Sequence, residues 1–432
     1  MVFAFLTLLF AAFDFGPAFS EPDAWNETAV DFTVDHAKNG FKFASAKRDA
    51  VVNMHKGEST WNGLAVWEAR ILYSKPNEGP SRIELSLYNR GDDSFGEGLS
   101  EAEFNKNMLP RIQKILNAKS KPSPATKKEL RTGGFSHSIR WNKASPAAEL
   151  IWGTTGGKSR GREVDFVRLT LSRANSTASA AKSSRGAAPL SGAAAKAKVK
   201  KNVQKNDAGD VWIANVPMVD QGQKGYCAAA VAERVLRYYG HNIDEHEIAQ
   251  MAGTTAQRGT SVDDMIETVK TVGSKCRLGF NSIVSMGGNV KGLEKEIDQY
   301  NRAAKAMKER EISLSEFTHG NTIFVSEMRT AMKPKVLKRM RTKDANYKKF
   351  LTGVKTQIDQ GIPVIWGVTL GIFPEPGVLQ SIGGHMRIII GYNDKTDELL
   401  YTDTWGAGHE LKRMPKDWAF TITHDAFFLR PL

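Results

Sequence analysis

The sequence has few cysteines: Cys227 and Cys276 are the only two in 432 residues. At most one disulfide can form within the chain, so a small disulfide-stabilised scaffold is excluded. Long apolar segments are also scarce, and none beyond the first twenty residues is long enough to cross a bilayer as a helix. With 41% hydrophobic and 9% aromatic residues, the composition fits a soluble protein with two globular domains.

The apolar run at the N-terminus has no Lys or Arg before it. It extends from Val2 to Phe13 and is followed by the helix breakers Gly16 and Pro17, then by small residues around Ser20. A short run of this kind is typical of a secretory signal peptide, although an ordinary apolar strand is the alternative. We therefore expect residues 1–20 to be a signal peptide and the protein to be secreted or periplasmic.

Positive charge exceeds negative charge, and the formal net charge is +13. Such a surface suits an acidic partner, but it also serves solubility alone. Part of the excess lies in a strongly helical region, which we expect to form a basic insertion at about residues 280–350. Its basic run, from Lys333 to Lys343, is expected either to bind an acidic macromolecule or to form a solvated helix face.

A change in composition predicts the domain boundary. Residues 21–173 contain strand-like runs and one amphipathic helix, which predicts a small α+β domain whose role the sequence does not reveal. Residues 174–206 contain no aromatic residue, Asp or Glu, so we expect a disordered Ala/Ser/Lys linker. In residues 207–432, predicted helices come first and predicted antiparallel strands second, which is the α+β order.

The first candidate for catalysis is Cys227, which opens an Ala-rich helix after Gly225. A thiol at the N-terminus of a helix faces the positive end of the helix dipole, which favours the nucleophilic thiolate. Gln221 lies six residues earlier, and its side-chain amide is a candidate donor to an oxyanion. Alone, this cysteine would more often be a small buried residue that packs the start of a helix.

The second candidate is His385, which follows two glycines at the mouth of an apolar strand. If the strands predicted over 386–391 and 398–403 form a hairpin, Asp403 lies near His385 and can orient its imidazole. Trp405 is placed to shield that hydrogen bond from water. A single histidine at a strand end is more often structural, so the prediction depends on the combination of residues.

Taken in order, these motifs resemble the papain superfamily of cysteine peptidases. Gln221-Gly222 before Cys227 is similar to the glutamine of its oxyanion hole, and Asp403-Thr404-Trp405-Gly406 is similar to its Asn-Ser-Trp-Gly motif. Within the superfamily, the chain looks most like the double-glycine (bacteriocin-processing) peptidase group and its relatives without a transporter. The further motifs shared with that group are the Val-Pro opening, the Tyr-Tyr-Gly helix end and three later segments: Val216-Pro217, Tyr238-Tyr239-Gly240, Gly259-Thr260-Ser261, Gly361–Val364 and Gly384-His385.

This resemblance implies a papain-like fold, in which a helical half carries the Cys and an antiparallel sheet carries the His and Asp. It also implies hydrolysis of a protein or peptide by Cys227, His385 and Asp403, with Gln221 and the Cys227 backbone N–H at the oxyanion. No metal or other cofactor is needed for that reaction. Two departures leave the substrate preference open: Ala228-Ala229 stands where the group has Gly-Pro, and the basic insertion separates Cys227 from His385.

Two other functions use the same residues. A Cys-His-Asp site also catalyses acyl transfer or amide hydrolysis, and a papain-like scaffold without activity could bind an acidic partner. Cys276 is predicted to be a buried free thiol, since a disulfide with Cys227 would disable the nucleophile. His409 is the rival base. His241 and His246 lack a third ligand, so we expect them on the surface and no metal site.

Overall fold

The structure is a computed structural model. It describes residues 12–54, 58–75, 77–92, 98–129, 134–156, 161–173, 192–222, 225–241, 243, 245–253, 262–286, 290–320, 322–376, 378 and 382–432. Three expectations fall wholly or partly outside these ranges. They concern residues 1–11 of the expected signal peptide, residues 174–191 of the expected linker, and the segment Gly259-Thr260-Ser261.

Residues 12–173 form an N-terminal unit built on an antiparallel sheet and a small mixed sheet in which β1 is parallel to β4. In chain order the strands are β1 (Phe13–Asp14), β2 (Lys42–Phe43), β3 (Ala50–Asn53), β4 (Ser59–Trp61), β5 (Leu64–Val66), β6 (Glu68–Tyr73), β7 (Pro80–Asn89), β8 (Thr126–Glu129), β9 (Phe135–Trp141), β10 (Ala147–Thr155) and β11 (Glu163–Ser172). Eight of them pair in the order β2-β3-β6-β7-β11-β10-β9-β8, and β1, β4 and β5 form a small second sheet.

Helices cover the apolar face of this larger sheet. They are α1 (Phe15–Ala18), α2 (Ala29–Asp35), α3 (Glu101–Glu103) and α4 (Leu109–Asn117), with a π-helical turn over Phe104–Met108 between the last two. Ser100 begins this run: its side chain accepts from the Glu103 N–H, while the Glu103 carboxylate accepts from the Ser100 N–H. This reciprocal capping fixes the helix start.

The N-terminal apolar residues belong to the core of this unit. The side chains of Phe15 and Phe19 are 0% and 1% exposed, and both pack among other aromatic rings. Removal of residues 1–20 as a signal peptide would take both rings out of the core. Export remains a prediction of the sequence. These contacts are the ones expected for the alternative, in which the apolar segment is part of the folded domain.

The C-terminal unit is built on a second antiparallel sheet. Its strands are β12 (Val203–Lys205), β13 (Asp210–Ile213), β14 (Leu278–Ser285), β17 (Val364–Leu370), β18 (Gly383–Asn393), β19 (Glu398–Thr402), β20 (Lys412–Pro415) and β21 (Thr423–Pro431), while β15 (Thr318–His319) and β16 (Thr322–Ile323) pair separately. The main order is β12-β13-β18-β17-β21-β14, and β19 pairs with both β18 and β20. The predicted hairpin is present, with Ile388 opposite Thr402.

Helices pack on both faces of this sheet. They are α5 (Gly192–Lys200), α6 (Cys227–Tyr238), α7 (Glu245–Met251), α8 (Val262–Lys275), α9 (Val290–Ala306), α10 (Val325–Ala331), α11 (Pro334–Thr342), α12 (Ala345–Asp359) and α13 (Lys416–Ile422). Alternate residues of the strands divide the core: Ile365 and Ile388 pack with α6–α8, whereas Trp366 and Ile389 pack with α9–α13. The expected α+β class is confirmed. In the part of the chain that is described, no helix has the length and hydrophobicity to span a membrane.

The expected linker is partly wrong. Residues 192–206 were expected to be disordered, but they form α5 and β12, and Val199 is buried. The backbone of α5 lies directly against Gly361, where an added Cβ would be 2.1 Å from the Val199 carbonyl oxygen. Alanine and lysine are good helix formers, so this sequence folds once it has a surface to pack on.

The basic insertion is also integrated more closely than expected. Residues 280–285, counted with it from the sequence, belong to β14 of the main sheet, and the helices that follow cover the sheet face opposite α6. Several basic side chains pair within the chain: Lys335 with Glu309, Lys338 with Asp417, and buried Arg341 with Glu296. The run therefore offers an acidic partner less unpaired positive charge than the sequence indicated.

Candidate active site

The candidate nucleophile Cys227 is the first residue of α6, as predicted. Its thiol interacts with the His385 side chain and with the backbone N–H of Met386, and both interactions favour the thiolate. Burial raises the pKa of this thiol, but the hydrogen bond and positive charge of His385 outweigh burial, so the pKa lies below its ordinary value. Lowering the thiol pKa raises the fraction present as thiolate, the form that attacks carbonyl groups.

The candidate base His385 lies on β18 and is 8% exposed. Its Nε2 atom is 2.6 Å from Oδ1 of Asp403, which leaves Nδ1 as the ring nitrogen for the thiol. Burial disfavours the charged ring, but the charge and hydrogen bond of Asp403 prevail and raise the pKa of His385 to about 9. The structure thus brings Cys227, His385 and Asp403 together in that order, as a thiolate–imidazolium pair requires.

Asp403 is fully buried directly after β19. The backbone N–H of Thr404 donates to its Oδ1 at 2.9 Å, and the Arg387 Nε–H donates to its Oδ2 at 2.7 Å. Burial raises the pKa of this carboxyl, but the charge and hydrogen bond of His385, helped by Arg387, outweigh it and lower the pKa to about 2. The carboxylate is therefore ionised throughout the pH range in which a peptidase would work.

Arg387 connects Asp403 to a further carboxylate. Its side chain is 0% exposed, its Nη1 lies 2.8 Å from Glu375, and its guanidinium stacks over the ring of Tyr401 at 4.7 Å. The Tyr401 hydroxyl also donates to Glu375. Buried charges are tolerated when they are paired and hydrogen-bonded, and this network satisfies that condition around Asp403.

Arg234 also fixes the site, from the second half of α6. Its guanidinium donates to the backbone oxygen of Asp403 at 2.6 Å, to the Thr402 hydroxyl at 2.7 Å and to the Pro217 oxygen at 2.7 Å. One side chain therefore ties the Cys227 helix to the strand end that carries Asp403.

Trp405 lies beside His385, as the sequence predicted. Its ring stacks on the imidazole of His385 with centroids 4.5 Å apart and planes at 9°. An aromatic surface in this position limits the access of water to the His385–Asp403 hydrogen bond. The rival base His409 meets Trp405 edge-on, and its backbone oxygen, not its ring, accepts from the Asp403 N–H. The geometry favours His385 over His409.

Gln221 is buried close to these residues and is hydrogen-bonded to Thr404, the residue after Asp403. Its backbone N–H donates to the Thr404 oxygen at 2.8 Å, and its side-chain oxygen accepts from the Thr404 hydroxyl. Because the oxygen faces Thr404, the amide nitrogen is the end of the group that suits an oxyanion.

The sequence also predicted positions for cysteine and histidine residues outside this group. Cys276 is a free thiol, as predicted, but it is half-buried where a buried position was predicted; Cys227 is not in a disulfide. The expectation of a surface position is wrong for His246, which is 4% exposed between the two units. Ligand atoms of His246, Glu68 and Glu245 lie within 4.8 Å of one another. Arg70 pairs with Glu245 at 2.6 Å, which disfavours a cation there.

Sequence reasoning missed Arg387, Glu375 and Arg234. A signal for Arg387 was present, because it stands two residues after His385 in an apolar strand and so shares its face. An Arg at such a position needs an internal anion. Glu375 had no comparable signal, since it lies in an irregular segment between β17 and β18.

A thiol on a helix start that faces a His–Asp pair on an antiparallel sheet defines a papain-like α+β unit. The Peptidase_C39 like family model matches residues 213–423, which make up most of the C-terminal unit. The resemblance inferred from the sequence is thereby confirmed.

Two solved structures are similar at low identity. The peptidase domain of Streptococcus ComA, a bi-functional ABC transporter, is 15% identical, with a TM-score of 0.25 over 50% of this chain and 100% of that one. Xylellain, a cysteine protease from Xylella fastidiosa, is 13% identical, with a TM-score of 0.27 over 57% of this chain and 92% of that one. Scores this low add nothing to the family match. No curated protein matches the chain.

Proposed function

We propose that the C-terminal unit is a cysteine peptidase that hydrolyses peptide bonds in a protein or peptide substrate. The observation that carries the proposal is the alignment of the half-buried Cys227 thiol with the buried His385–Asp403 pair, in which His385 Nε2 and Asp403 Oδ1 are 2.6 Å apart. The family match supports the reaction class.

The reaction takes place in two stages. The Cys227 thiolate attacks the carbonyl carbon, and the developing oxyanion accepts hydrogen bonds from the Gln221 amide and the Cys227 N–H. The C–N bond breaks as the His385 imidazolium gives its proton to the leaving amine, which leaves an acyl-thioester. His385 then removes a proton from water, the resulting hydroxide equivalent attacks the thioester, and the thiolate and acid product are released.

A direct test compares the wild type with Cys227→Ala and with the matched control Cys276→Ala. An epoxide or iodoacetamide probe should modify Cys227 selectively, because burial raises the pKa of the Cys276 thiol whereas that of Cys227 is lowered. Peptide hydrolysis should disappear in Cys227→Ala and persist in Cys276→Ala.

Retained turnover in Cys227→Ala, or labelling of Cys276 alone, would rule out the proposed nucleophile. Products are also to be analysed with an added primary amine. An amide product in place of the free acid would assign the same residues to acyl transfer. A wild-type thiol that resists both probes would indicate a binding protein.

A further inference from the structure

We infer that the N-terminal unit is a positioning element of the peptidase, acting on residues 220–222 and 225–227 (the loop), which carry Gln221 and Cys227. This inference rests on the proposed function. The N-terminal unit brings side chains to both ends of the loop, although the two units are far apart in sequence.

Arg70, on β6, holds the first end of the loop. Its Nη2 donates to the backbone oxygen of Asp220 at 3.2 Å and to Oε1 of Glu245 at 2.6 Å. Lys42 also reaches the Asp220 carboxylate, at 3.3 Å. Because Asp220 directly precedes Gln221, these contacts limit how far the amide of Gln221 can shift.

Asn89, at the end of β7, holds the second end. Its Oδ1 accepts from the Tyr226 hydroxyl at 2.6 Å, and both residues are buried. Tyr226 is the cap residue before Cys227 at the start of α6. The ring of Tyr226 packs so closely on Gly91 that a Cβ there would lie 2.0 Å from Tyr226 Cε1.

The two attachments are made to the residues directly before Gln221 and Cys227, whose donor and nucleophile atoms must be placed most accurately. Between them, the loop contacts the C-terminal unit through the Gln221–Thr404 hydrogen bonds. Stabilisation of an oxyanion requires donors within about 3 Å of a defined point, and a displacement of about 1 Å can lower the rate a hundred-fold. Loss of either attachment should therefore lower the rate of the chemical step while substrate binding changes little.

The experiment uses the full-length protein with Arg70→Met, Asn89→Ala and the wedge variant Gly91→Ala. The control is Arg140→Met, which removes a partly exposed ion pair with Glu149 on the same sheet, between β9 and β10. We expect kcat on a short peptide to fall roughly ten-fold or more in the three variants, with KM within about two-fold of wild type. Arg140→Met should match the wild type in both.

A second readout is hydrogen exchange of the loop amides. The Gln221 N–H is bonded to Thr404, and the Gly222 N–H to the Asp220 carboxylate at 2.9 Å. In Arg70→Met both amides should exchange faster, by roughly ten-fold, while amides of β10 keep their wild-type rates.

The outcomes separate the two proposals. Unchanged kcat and unchanged loop exchange in all three variants would overturn the positioning role, even if the variants unfold at lower temperature. A wild type that hydrolyses no peptide would overturn the proposed function, and loop exchange would still decide whether the N-terminal unit restrains residues 220–222 and 225–227.

Discussion

Arg387 and His385 bind opposite oxygens of one carboxylate. The Arg387 Nε–H donates to Oδ2 of Asp403 at 2.7 Å, and His385 Nε2 lies 2.6 Å from Oδ1. The two residues stand on the same face of β18, two positions apart. Asp403 therefore serves two donors at once, which an Asn in its place cannot do.

This relationship changes the expected effect of Asp403→Asn. From the sequence alone, Asn should substitute well, because it offers the same oxygen to His385. Here the Asn oxygen is claimed by both His385 and Arg387, and its NH₂ must face one of these donors. We expect hydrolysis to fall roughly ten-fold or more, as it does when a triad histidine is held in the wrong tautomer.

A double variant tests whether competition between the two donors causes this loss. In Arg387→Met with Glu375→Gln, the competing donor and its partner charge are both removed. Asp403→Asn should then cost less activity than it does in the wild-type background, whereas Asp403→Ala should remain inactive in both. Equal losses for Asp403→Asn in the two backgrounds would contradict the competition between donors.

The pH dependence of alkylation should identify the thiolate–imidazolium pair. Because the pKa of Cys227 is lowered through His385, iodoacetamide should modify Cys227 at pH 7 faster in the wild type than in His385→Ala. Hydrolysis should decline as pH rises through about 9, where His385 loses the proton that the leaving amine needs. A rate that keeps rising above pH 9 would contradict this assignment.

The stability of the protein should depend on pH through His385 and Asp403, and the two dependences should run in opposite directions. His385 has a folded pKa of about 9 against an ordinary 6.5, so its contribution is full below 6.5 and lost as pH rises through 9. Asp403 has a folded pKa of about 2 against 3.8, so its contribution is full above 3.8 and lost as pH falls through 2. Urea unfolding of wild type and Asp403→Ala across these pH values measures both limbs.

Two arginines of α11 provide a matched pair for the basic insertion. Arg341 is buried and bonded to Glu296 at 2.7 Å, whereas Arg339 is exposed. Arg341→Met leaves a buried carboxylate with one partner fewer, and should lower the free energy of unfolding by about 3 kcal/mol. Arg339→Met should change it by less than about 0.5 kcal/mol. If chemical unfolding shows a loss for Arg341→Met as small as that for Arg339→Met, the Arg341–Glu296 pair adds no stability.

The aromatic residues near the N-terminus give a test that bears on processing. Phe19 is 1% exposed and packs on Trp25 with centroids 5.4 Å apart. Phe19→Ala should lower the free energy of unfolding by about 3–5 kcal/mol. The exposed Val34→Ala should have little effect. If Phe19→Ala is as stable as Val34→Ala, the segment is dispensable, and removal as a signal peptide becomes compatible with folding.

The parts of the site that the sequence predicted are those with local signals. Cys227 stands at a recognisable helix start, and His385 and Asp403 stand at the ends of two strands that form a hairpin. Hydrophobic periodicity gives such elements reliably. The α+β class follows from the same patterns.

What the sequence did not predict depends on distant surfaces. Arg70 and Asn89 contact Asp220 and Tyr226 from a separate unit, and no periodicity encodes which residues a sheet will meet. Val199 lies in a helix of low complexity that packs so closely on Gly361 that a side chain there would clash with it. In these cases tertiary packing, not local preference, determines the structure.

The place of β21 in the sheet has a consequence for the order of folding. This strand lies inside the sheet, between β14 and β17. The strand that carries His385 is the next neighbour of β17, so the sheet that supports His385 is incomplete until β21 has paired. A ribosome-bound chain made only as far as Asp403 would therefore carry the candidate catalytic residues without the complete sheet that holds them.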